Sequence, residues 1–255
     1  MADTATNTTV LTEARGRVLL ITLNRPEAMN AINTELSQGV LAAVAQLDGD
    51  DGLTAGVMTG TGRGFCAGMD LKAFATSGPP KGLGDFFQHG ARKPLIAAIE
   101  GFALAGGLEM ALACDLLVAA NNVKLGIPEA GVGLFAACGA VIRLPDRVPY
   151  AVAMEMALTA DPITSEQAYA YGLVSRLAEP GQAVSVALEM AERIARNAPL
   201  SVAASKTIIR GTRGMTEEEA WKFQAPLMAE VFTSEDAKEG PRAFAEKRAP
   251  SWTGR

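Results

Sequence analysis

Short apolar runs alternate with helix-like patterns along the first part of the chain. Each run is bounded by Gly, Pro, Asn or Asp and predicts a buried strand. The runs are residues 17–23, 53–59, 95–100, 116–120 and 123–127. We expect Asn33 to cap a helix after the first run, Asp70 to cap a short helix after the second, and a further helix from about Gly107 to Cys114. This alternation of strands and helices predicts an α/β fold.

Beyond about Leu144 the apolar pattern becomes helical. The predicted helices span residues 150–159, 165–171, 181–197, 200–210 and 215–232. The helix-rich last quarter indicates either a second lobe or an oligomerisation element. Two segments are predicted to lack regular structure. They are a frayed leader of about 15 residues and the Gly- and Pro-punctuated residues 76–93, a predicted mobile surface loop that would shape the ligand pocket.

Composition narrows the chemistry that the chain can perform. Its 255 residues carry 23 Lys and Arg and 28 Asp and Glu, and this net charge of −5 disfavours nucleic acid as a partner. The three cysteines, Cys66, Cys114 and Cys138, form no C-x-x-C pair, which disfavours a disulfide framework or a zinc site. His89 is the single histidine, so most His-ligated metal sites and His-based triads are disfavoured as well. We therefore expect no metal and an acid and base that are carboxylates.

Familiar localisation and cofactor signals are missing from the sequence. The N-terminus has neither the basic flank nor the apolar core of a signal peptide, and no apolar run reaches the length of a membrane span, which predicts a cytoplasmic protein without a membrane partner. Nucleophile-elbow, phosphate-loop and H-E-x-x-H motifs are absent. The segment GTGRGF begins like a dinucleotide fingerprint, but Phe65 replaces the third glycine, so dinucleotide binding is not favoured.

Two carboxylates stand alone in long uncharged stretches. Glu109 is the only charged residue between Glu100 and Asp115, and Glu129 is the only one between Lys124 and Arg143. Burial would raise the pKa of each towards neutrality, as a general acid or base requires. Alternatively, Glu109 serves the N-terminus of its helix and Glu129 lies at a solvent-facing turn.

Two Gly-rich turns suggest an anion-binding site made of backbone N–H groups. Met69 follows one strand-to-helix turn, and Gly106 lies at the start of the helix that carries Glu109. Free N–H groups at such places could hold one oxyanion together. Alternatively, the glycines serve only to make tight turns.

Several segments in a fixed order resemble the crotonase family, also called the enoyl-CoA hydratase/isomerase family. The resemblance runs from about residue 17 to the C-terminus. The segments are LNRPEAMNAIN (23–33), GRGFCAGMDL (62–71), EGFALAGGLEMALACDLLVAA (100–120), LGIPEAGVGL (125–134), RLP (143–145) and FAEKRAPSW (244–252). The combination is specific because independent motifs keep their order and spacing.

The resemblance implies a spiral of ββα units, here residues 1–195, followed by a helical oligomerisation region, residues 196–255, that forms a homotrimer or a dimer of trimers. It implies an acyl-CoA thioester as substrate and no cofactor, because coenzyme A is part of that substrate. Met69 and Gly106 match the family's two oxyanion donors, and Glu109 and Glu129 match its catalytic glutamates. The residues that match the family's CoA contacts are Ala28, Ala67, Gly68, Asp70, Leu71, Lys72, Phe244 and Lys247.

Retention of both glutamates favours an enoyl-CoA hydratase, a carbon–oxygen lyase that adds water reversibly across the 2,3 double bond. A carnitinyl-CoA dehydratase-like reaction, a Δ3-Δ2-enoyl-CoA isomerase and a non-catalytic acyl-CoA-binding member stay open as alternatives. The sequence departs from the family pattern at Ala105, in place of a third glycine, and at FAACGAVIRLP after Glu129, where Ala137 replaces a glycine. These changes leave the pocket shape and acyl preference open.

Overall fold

A computed structural model describes residues 8–255 of the chain. It divides into two compact units, Met1–Ala191 and Glu192–Arg255. The predicted boundary lay at residue 195, and the roles assigned to the two regions stay predictions.

The first unit contains two sheets, and the α/β class is confirmed. The strands are β1 (Val10–Arg15), β2 (Val18–Leu23), β3 (Ala55–Gly60), β4 (Leu95–Ile99), β5 (Phe102–Leu104), β6 (Leu116–Ala120), β7 (Lys124–Gly126), β8 (Ile163–Thr164) and β9 (Arg176–Ala178). The larger sheet has the order β1-β2-β3-β4-β6-β9 and is parallel except for β1, and the smaller sheet has the order β5-β7-β8. In both β4–β5 and β6–β7, the first strand joins the larger sheet and the second joins the smaller one.

The central strands of the larger sheet form the core of this unit. Strands β3 and β4 are buried along almost their whole length, as expected for parallel strands covered on both faces. This is why their sequences read as continuous apolar runs rather than as alternating patterns. All five runs that predicted strands contain a strand, within one or two residues at most ends.

The prediction of a frayed leader is wrong for the part of it that the structure describes. Residues Val10–Arg15 form β1, which pairs antiparallel with β2 from Val10 opposite Leu23 to Arg15 opposite Val18. Only Val10 of this strand is buried, so its side chains carry no apolar alternation that a sequence pattern could reveal. Residues 1–7 of the predicted leader lie outside the described residues.

Helices connect the strands and make up most of the second unit. They are α1 (Thr34–Gly49), α2 (Leu71–Ser77), α3 (Gly84–His89), α4 (Gly106–Ala113), α5 (Ala140–Arg143), α6 (Tyr150–Thr159), α7 (Ser165–Ala170), α8 (Ala183–Ala195), α9 (Pro199–Gly211), α10 (Glu217–Thr233) and α11 (Glu235–Ala245). Both predicted caps are confirmed, because Asn33 accepts a hydrogen bond from the N–H of Leu36 and Asp70 accepts one from the N–H of Ala73.

The segment 76–93 is not the irregular loop that its Gly and Pro content predicted. It contains α3, a helix of the first unit in which the side chains of Phe86 and Phe87 are buried. Two of the glycines that suggested a loop lie at the ends of this helix, which begins at Gly84 and is followed by Gly90 with a positive φ of 67°. His89 falls in the segment that was predicted to be a mobile loop. It is the last residue of α3, and its Nδ1 lies 3.0 Å from Oδ1 of Asp85.

Ion pairs in the second unit hold the C-terminal tail against α11. Glu239 is 8% exposed and accepts hydrogen bonds from Arg242, Arg248 and the N–H of Ser251. Hydrogen bonding to Arg248 is the largest cause that holds the pKa of this carboxyl far below its usual range. Asp236 accepts from the N–H groups of Thr253 and Gly254 at 2.7 and 3.0 Å. These contacts give the FAEKRAPSW segment a structural role in fixing the chain end.

Candidate active site

One apolar cavity of about 550 Å³ in the first unit receives all four residues that were predicted to be catalytic. Met69, Gly106, Glu109 and Glu129 line it, and the two glutamates are its only charged side chains among the lining residues of the described chain. Its size is that of a small-molecule site.

The turn before α2 presents the backbone N–H of Met69. Gly68 adopts a φ of +99°, which a residue with a Cβ rarely adopts, and its carbonyl accepts from the N–H of Ile32 at 2.8 Å. The N–H of Asp70 donates back to Ile32 at 3.0 Å. These two hydrogen bonds engage Gly68 and Asp70, the two neighbours of Met69. The N–H of Met69 has no acceptor within residues 8–255.

The N-terminus of α4 packs directly against the turn that carries Met69. A Cβ on Gly107 would lie 2.2 Å from the carbonyl oxygen of Cys66, so only glycine allows this approach. A Cβ on Gly106 would lie 3.8 Å from the backbone nitrogen of Met69. Gly106 is the first residue of α4, and its N–H likewise has no acceptor in the described part of the chain. Two free N–H groups therefore lie side by side at the cavity wall, an arrangement suited to one oxyanion.

Ala105, the residue before α4, has a backbone conformation that is unusual for a residue with a side chain. Its φ and ψ are 52° and −132°, a region that glycine occupies far more readily. Its N–H donates to the carbonyl of Gly126 at 2.9 Å, and its carbonyl accepts from the N–H of Glu109 at 3.1 Å. These bonds hold the strained residue in place and turn the chain sharply from β5 into α4.

Glu109 lies in the first turn of α4 and is 3% exposed. Its Oε1 accepts a hydrogen bond from the N–H of Ala140 at 3.1 Å. Burial is the largest influence and raises the pKa of this carboxyl, while hydrogen bonds from Ala140 and Cys138 and the charge of Arg143 oppose that rise. The carboxyl is therefore desolvated, yet it has donors that favour its ionised form.

Glu129 lies in a single 3₁₀ turn, Pro128–Val132. The turn itself is at the surface, but Oε2 of the carboxyl is buried and lacks a hydrogen-bond partner within residues 8–255. Burial, aided by the negative charge of Glu109, raises the pKa of Glu129 to about 7, against a smaller lowering by its own backbone N–H. Near neutral pH this group would be protonated about half of the time.

Residues 76–93 contribute to the cavity wall, as predicted, but sequence reasoning missed the helix within them and the place of Cys138 in the wall. Leu83, which precedes α3, and Phe87, which lies within it, line the cavity. The adjacent phenylalanines were the signal for a buried helix where a loop was expected. Cys138 also lines the cavity and interacts with Glu109. Its position in an Ala- and Gly-rich run gave no sign of this contact.

The residues predicted to contact CoA fall into three groups. Ala67 and Leu71 line the cavity, whereas Ala28, Gly68, Asp70 and Lys72 lie outside its lining in the same unit. The Asp70 carboxylate is engaged by the N–H of Ala73 and by Arg25, at 3.1 Å each. Phe244 and Lys247 belong to the second unit, where Phe244 is 87% exposed. A CoA contact of these residues stays a prediction.

The described residues contain neither a cluster of metal ligands nor a membrane-spanning helix. Residues 8–255 bring together no group of three or more His, Cys, Asp or Glu side chains that could hold a metal ion. None of the helices in the same range combines the length and apolarity that crossing a bilayer requires.

Comparisons with known proteins agree with the geometry of the cavity. A family model described as enoyl-CoA hydratase/isomerase matches residues 13–255. The chain is 42% identical to enoyl-CoA hydratase EchA19 from Mycobacterium tuberculosis, with 100% of both chains covered, and 40% identical to carnitinyl-CoA dehydratase from Proteus mirabilis, with 94% of this chain and 97% of that one covered. It resembles the crystal structure of an enoyl-CoA hydratase from Mycobacterium tuberculosis with a TM-score of 0.93 at 52% identity, over 97% of this chain and 100% of that one. The chain belongs to the enoyl-CoA hydratase/isomerase family, the crotonase family, and has its fold.

Proposed function

We propose that this protein is an enoyl-CoA hydratase that adds water reversibly across the 2,3 double bond of a 2-enoyl-CoA thioester. The observation that carries the proposal is the placement of two carboxylates with raised pKa, Glu109 and Glu129, in one apolar cavity beside two free backbone N–H groups. Isomerisation needs a single acid–base group, whereas addition of water needs one group for the water and one for the carbon.

The thioester oxygen would be held by the N–H groups of Met69 and Gly106. Negative charge develops on this oxygen when a nucleophile adds to the β-carbon, and two fixed donors stabilise that charge more than the ground-state carbonyl. Removal of one such donor costs about 3–4 kcal/mol in comparable sites. The positive end of the α4 dipole adds to the effect.

The two carboxylates would divide the proton transfers between them. Glu109, which has hydrogen-bond donors, would act in its ionised form and take a proton from water as the oxygen bonds to the β-carbon. Glu129, whose pKa is about 7, would deliver its proton to the α-carbon. The product is the 3-hydroxyacyl thioester, and one proton has moved from Glu129 to Glu109 through the added water. Exchange with solvent returns the pair to its starting state, and no further cofactor takes part.

A substrate panel tests this proposal and separates it from its alternatives. Turnover of short- and longer-chain 2-enoyl-CoA thioesters, a 3-enoyl-CoA and carnitinyl-CoA would be followed by ultraviolet absorbance and product mass. We expect hydration of 2-enoyl substrates, with kcat reduced about 10²- to 10⁴-fold in Glu109→Gln and in Glu129→Gln. Glu189, exposed on α8 and outside the cavity lining, provides the matched control Glu189→Gln, which should keep full activity.

Each alternative predicts a different result in the same panel. If the protein isomerises the 3-enoyl substrate and Glu109→Gln retains this activity, the reaction needs one carboxylate only. The protein would then be an isomerase rather than the proposed hydratase. Preference for carnitinyl-CoA would favour a dehydratase like the Proteus mirabilis relative. Binding of CoA esters without turnover of any of them would indicate a non-catalytic member. The lining favours an uncharged acyl group, since beyond Glu109 and Glu129 it has no charged side chain among the described residues to receive a cationic one.

We also propose that the protein acts in the cytoplasm as a homotrimer or a dimer of trimers. Large apolar side chains on the second unit support self-association, since Ile209, Trp221 and Phe232 are 71%, 61% and 78% exposed. Light scattering coupled to size exclusion would measure the mass, and a monomer at micromolar concentration would contradict this part of the proposal.

A further inference from the structure

The turn that presents the N–H of Met69 packs against a neighbouring segment, residues 25–32. Ile32 of this segment accepts from the N–H of Asp70 at 3.0 Å and donates to the carbonyl of Gly68 at 2.8 Å. These two backbone bonds hold the residues on either side of Met69, whose own N–H has no acceptor in the described part of the chain. The position of that N–H therefore depends on the conformation of residues 25–32.

Two consecutive residues of this segment adopt a left-handed conformation. Met29 and Asn30 both have a φ of 54°, which is uncommon for residues with a side chain. Such conformations persist only where the surroundings hold them, and they concentrate at functional sites. Here the carbonyl of Met29 accepts from the N–H of Ala67 at 3.1 Å. Because Ala67 lies two residues before Met69, the left-handed pair adds a third backbone bond to the turn that carries the donor.

The side-chain amide of Asn30 holds the left-handed pair in place. The residue is fully buried, and its Oδ1 accepts from the N–H of Arg25 at 2.8 Å. Its Nδ2 donates to the carbonyl of Thr61 at 2.9 Å and to that of Gly64 at 3.0 Å. A Cβ on Gly60 would lie only 2.7 Å from Nδ2, so the amide is closely packed as well as hydrogen-bonded through both of its polar atoms.

The separation between the N–H groups of Met69 and Gly106 is set from two sides. On one side an N–H of β5 donates to the carbonyl of Cys66 at 3.0 Å, and β5 leads directly to the helix that begins at Gly106. On the other side lie residues 25–32, which the amide of Asn30 fixes to the loop before Met69. Two donors stabilise one oxyanion best when both reach it together, so a shift of either side slows the reaction.

We propose that Asn30 is a positioning residue for water addition: its amide fixes the left-handed turn against the loop that presents Met69, and so keeps the N–H of Met69 beside that of Gly106. Asn30 touches no reacting atom and acts only through this backbone donor. Asparagine suits the place because it enters the left-handed region more readily than most residues and supplies both an acceptor and two donors. The inference rests on the proposed function in assigning the two N–H groups to the thioester oxygen.

Two variants of Asn30 and one matched control separate the amide from the backbone conformation. Glycine adopts a positive φ without strain, so Asn30→Gly keeps the turn accessible while it removes the amide. Asn30→Asp keeps the size and the acceptor but loses both donors, and it replaces Asn30→Gly if that variant does not fold. Met29→Gly makes the same backbone change one residue earlier, at an exposed side chain outside the cavity lining, and should behave like the wild type.

The carbonyl stretching frequency of a bound thioester measures the two donors directly and needs no turnover. Butyryl-CoA with a ¹³C-labelled thioester carbonyl has no double bond to hydrate, so it can serve as the probe in difference infrared spectra. Hydrogen bonds weaken the C=O bond, and the frequency in the wild type should therefore be lower for the bound ester than for the free one. About half or more of this shift should disappear in Asn30→Gly, whereas Met29→Gly should keep it.

Steady-state kinetics on a 2-enoyl-CoA gives the second measurement. Loss of an interaction that is stronger in the transition state lowers kcat and kcat/KM together, so kcat of Asn30→Gly should fall about 10- to 100-fold with KM nearly unchanged. A merely structural role would lower the urea midpoint but leave the carbonyl shift and the kcat of the folded variant at their wild-type values. That result would overturn the proposal, as would the lack of any shift in the wild type. A shift that Asn30→Gly loses, without turnover of any acyl-CoA by the wild type, would count against the proposed function alone.

Discussion

The alkaline limb of the pH–rate profile is the most direct consequence of the environment of Glu129. Water addition needs one proton on the pair, held by Glu129 while Glu109 is ionised. Dehydration starts with the proton on Glu109, so both directions use the pair with one proton in total. Because the overall reaction neither releases nor takes up a proton, kcat/KM in both directions must follow the same pH profile.

The size of the effect follows from the pKa of about 7 for Glu129. The fraction of Glu129 that is protonated is about 0.9 at pH 6, about 0.5 at pH 7, about 0.09 at pH 8 and about 0.01 at pH 9. The pKa is raised, so the active form is present below pH 7 and is lost as the pH rises through that value. We therefore expect kcat/KM to fall about 90-fold between pH 6 and pH 9.

The assay is the ultraviolet absorbance of the enoyl thioester, followed at low substrate concentration in both directions. Glu129→Gln should retain a small rate without this alkaline limb, whereas the control Glu189→Gln should retain the limb in full. A flat profile between pH 6 and pH 9, or an unchanged limb in Glu129→Gln, would refute the assignment of Glu129 as the proton donor.

Three further predictions concern the turns that build the site, and urea denaturation measures each of them. Ala105→Gly relieves about 1–3 kcal/mol of backbone strain, whereas the greater entropy of the unfolded chain costs about 0.4–1 kcal/mol. The free energy of unfolding should therefore rise by up to about 2 kcal/mol, and a clear decrease would contradict the assignment of strain to Ala105. Gly107→Ala should destabilise by about 1–3 kcal/mol, whereas Gly131→Ala, whose Cβ would meet no atom within 4 Å, should stay within about 0.5 kcal/mol. Asp70→Ala removes a helix cap and the partner of Arg25 and should cost about 1–2 kcal/mol, and an unchanged midpoint would argue against both contacts.

Much of the fold could be predicted because burial leaves a pattern in the sequence. Strands β3, β4 and β6 are continuous apolar runs, and α6 matches its prediction at both ends. Elements stabilised by backbone pairing at an edge leave no such pattern, as β1 demonstrates. Helix α3 was missed for a different reason, since its flanking glycines give the same signal as a loop.

The candidate site was predictable to the extent that it consists of isolated charges. Glu109 and Glu129 stand out in sequence because uncharged residues surround them, and the same surroundings desolvate them in the fold. The free N–H groups of Met69 and Gly106 carry no side-chain signal, and the resemblance to the crotonase family was needed to select them. The spacing of the sequence gave no sign that Cys138 lines the same cavity as Glu109.

The small residues of the two turns give no side-chain signal in the sequence, yet they allow the close approach that the oxyanion donors need. Gly68 and Gly107 let two turns approach until the N–H of Met69 and that of Gly106 lie side by side, and a Cβ on either glycine would come within 2.5 Å of a neighbouring atom. Backbone donors held in this way cannot rotate away, so they are already aligned before charge develops on a substrate. The side chains of the acyl cavity can therefore depart from the family pattern, as at Ala137, without disturbing the oxyanion donors. Differences in substrate between members of this fold should accordingly lie in the cavity wall and in the proton balance of the two glutamates.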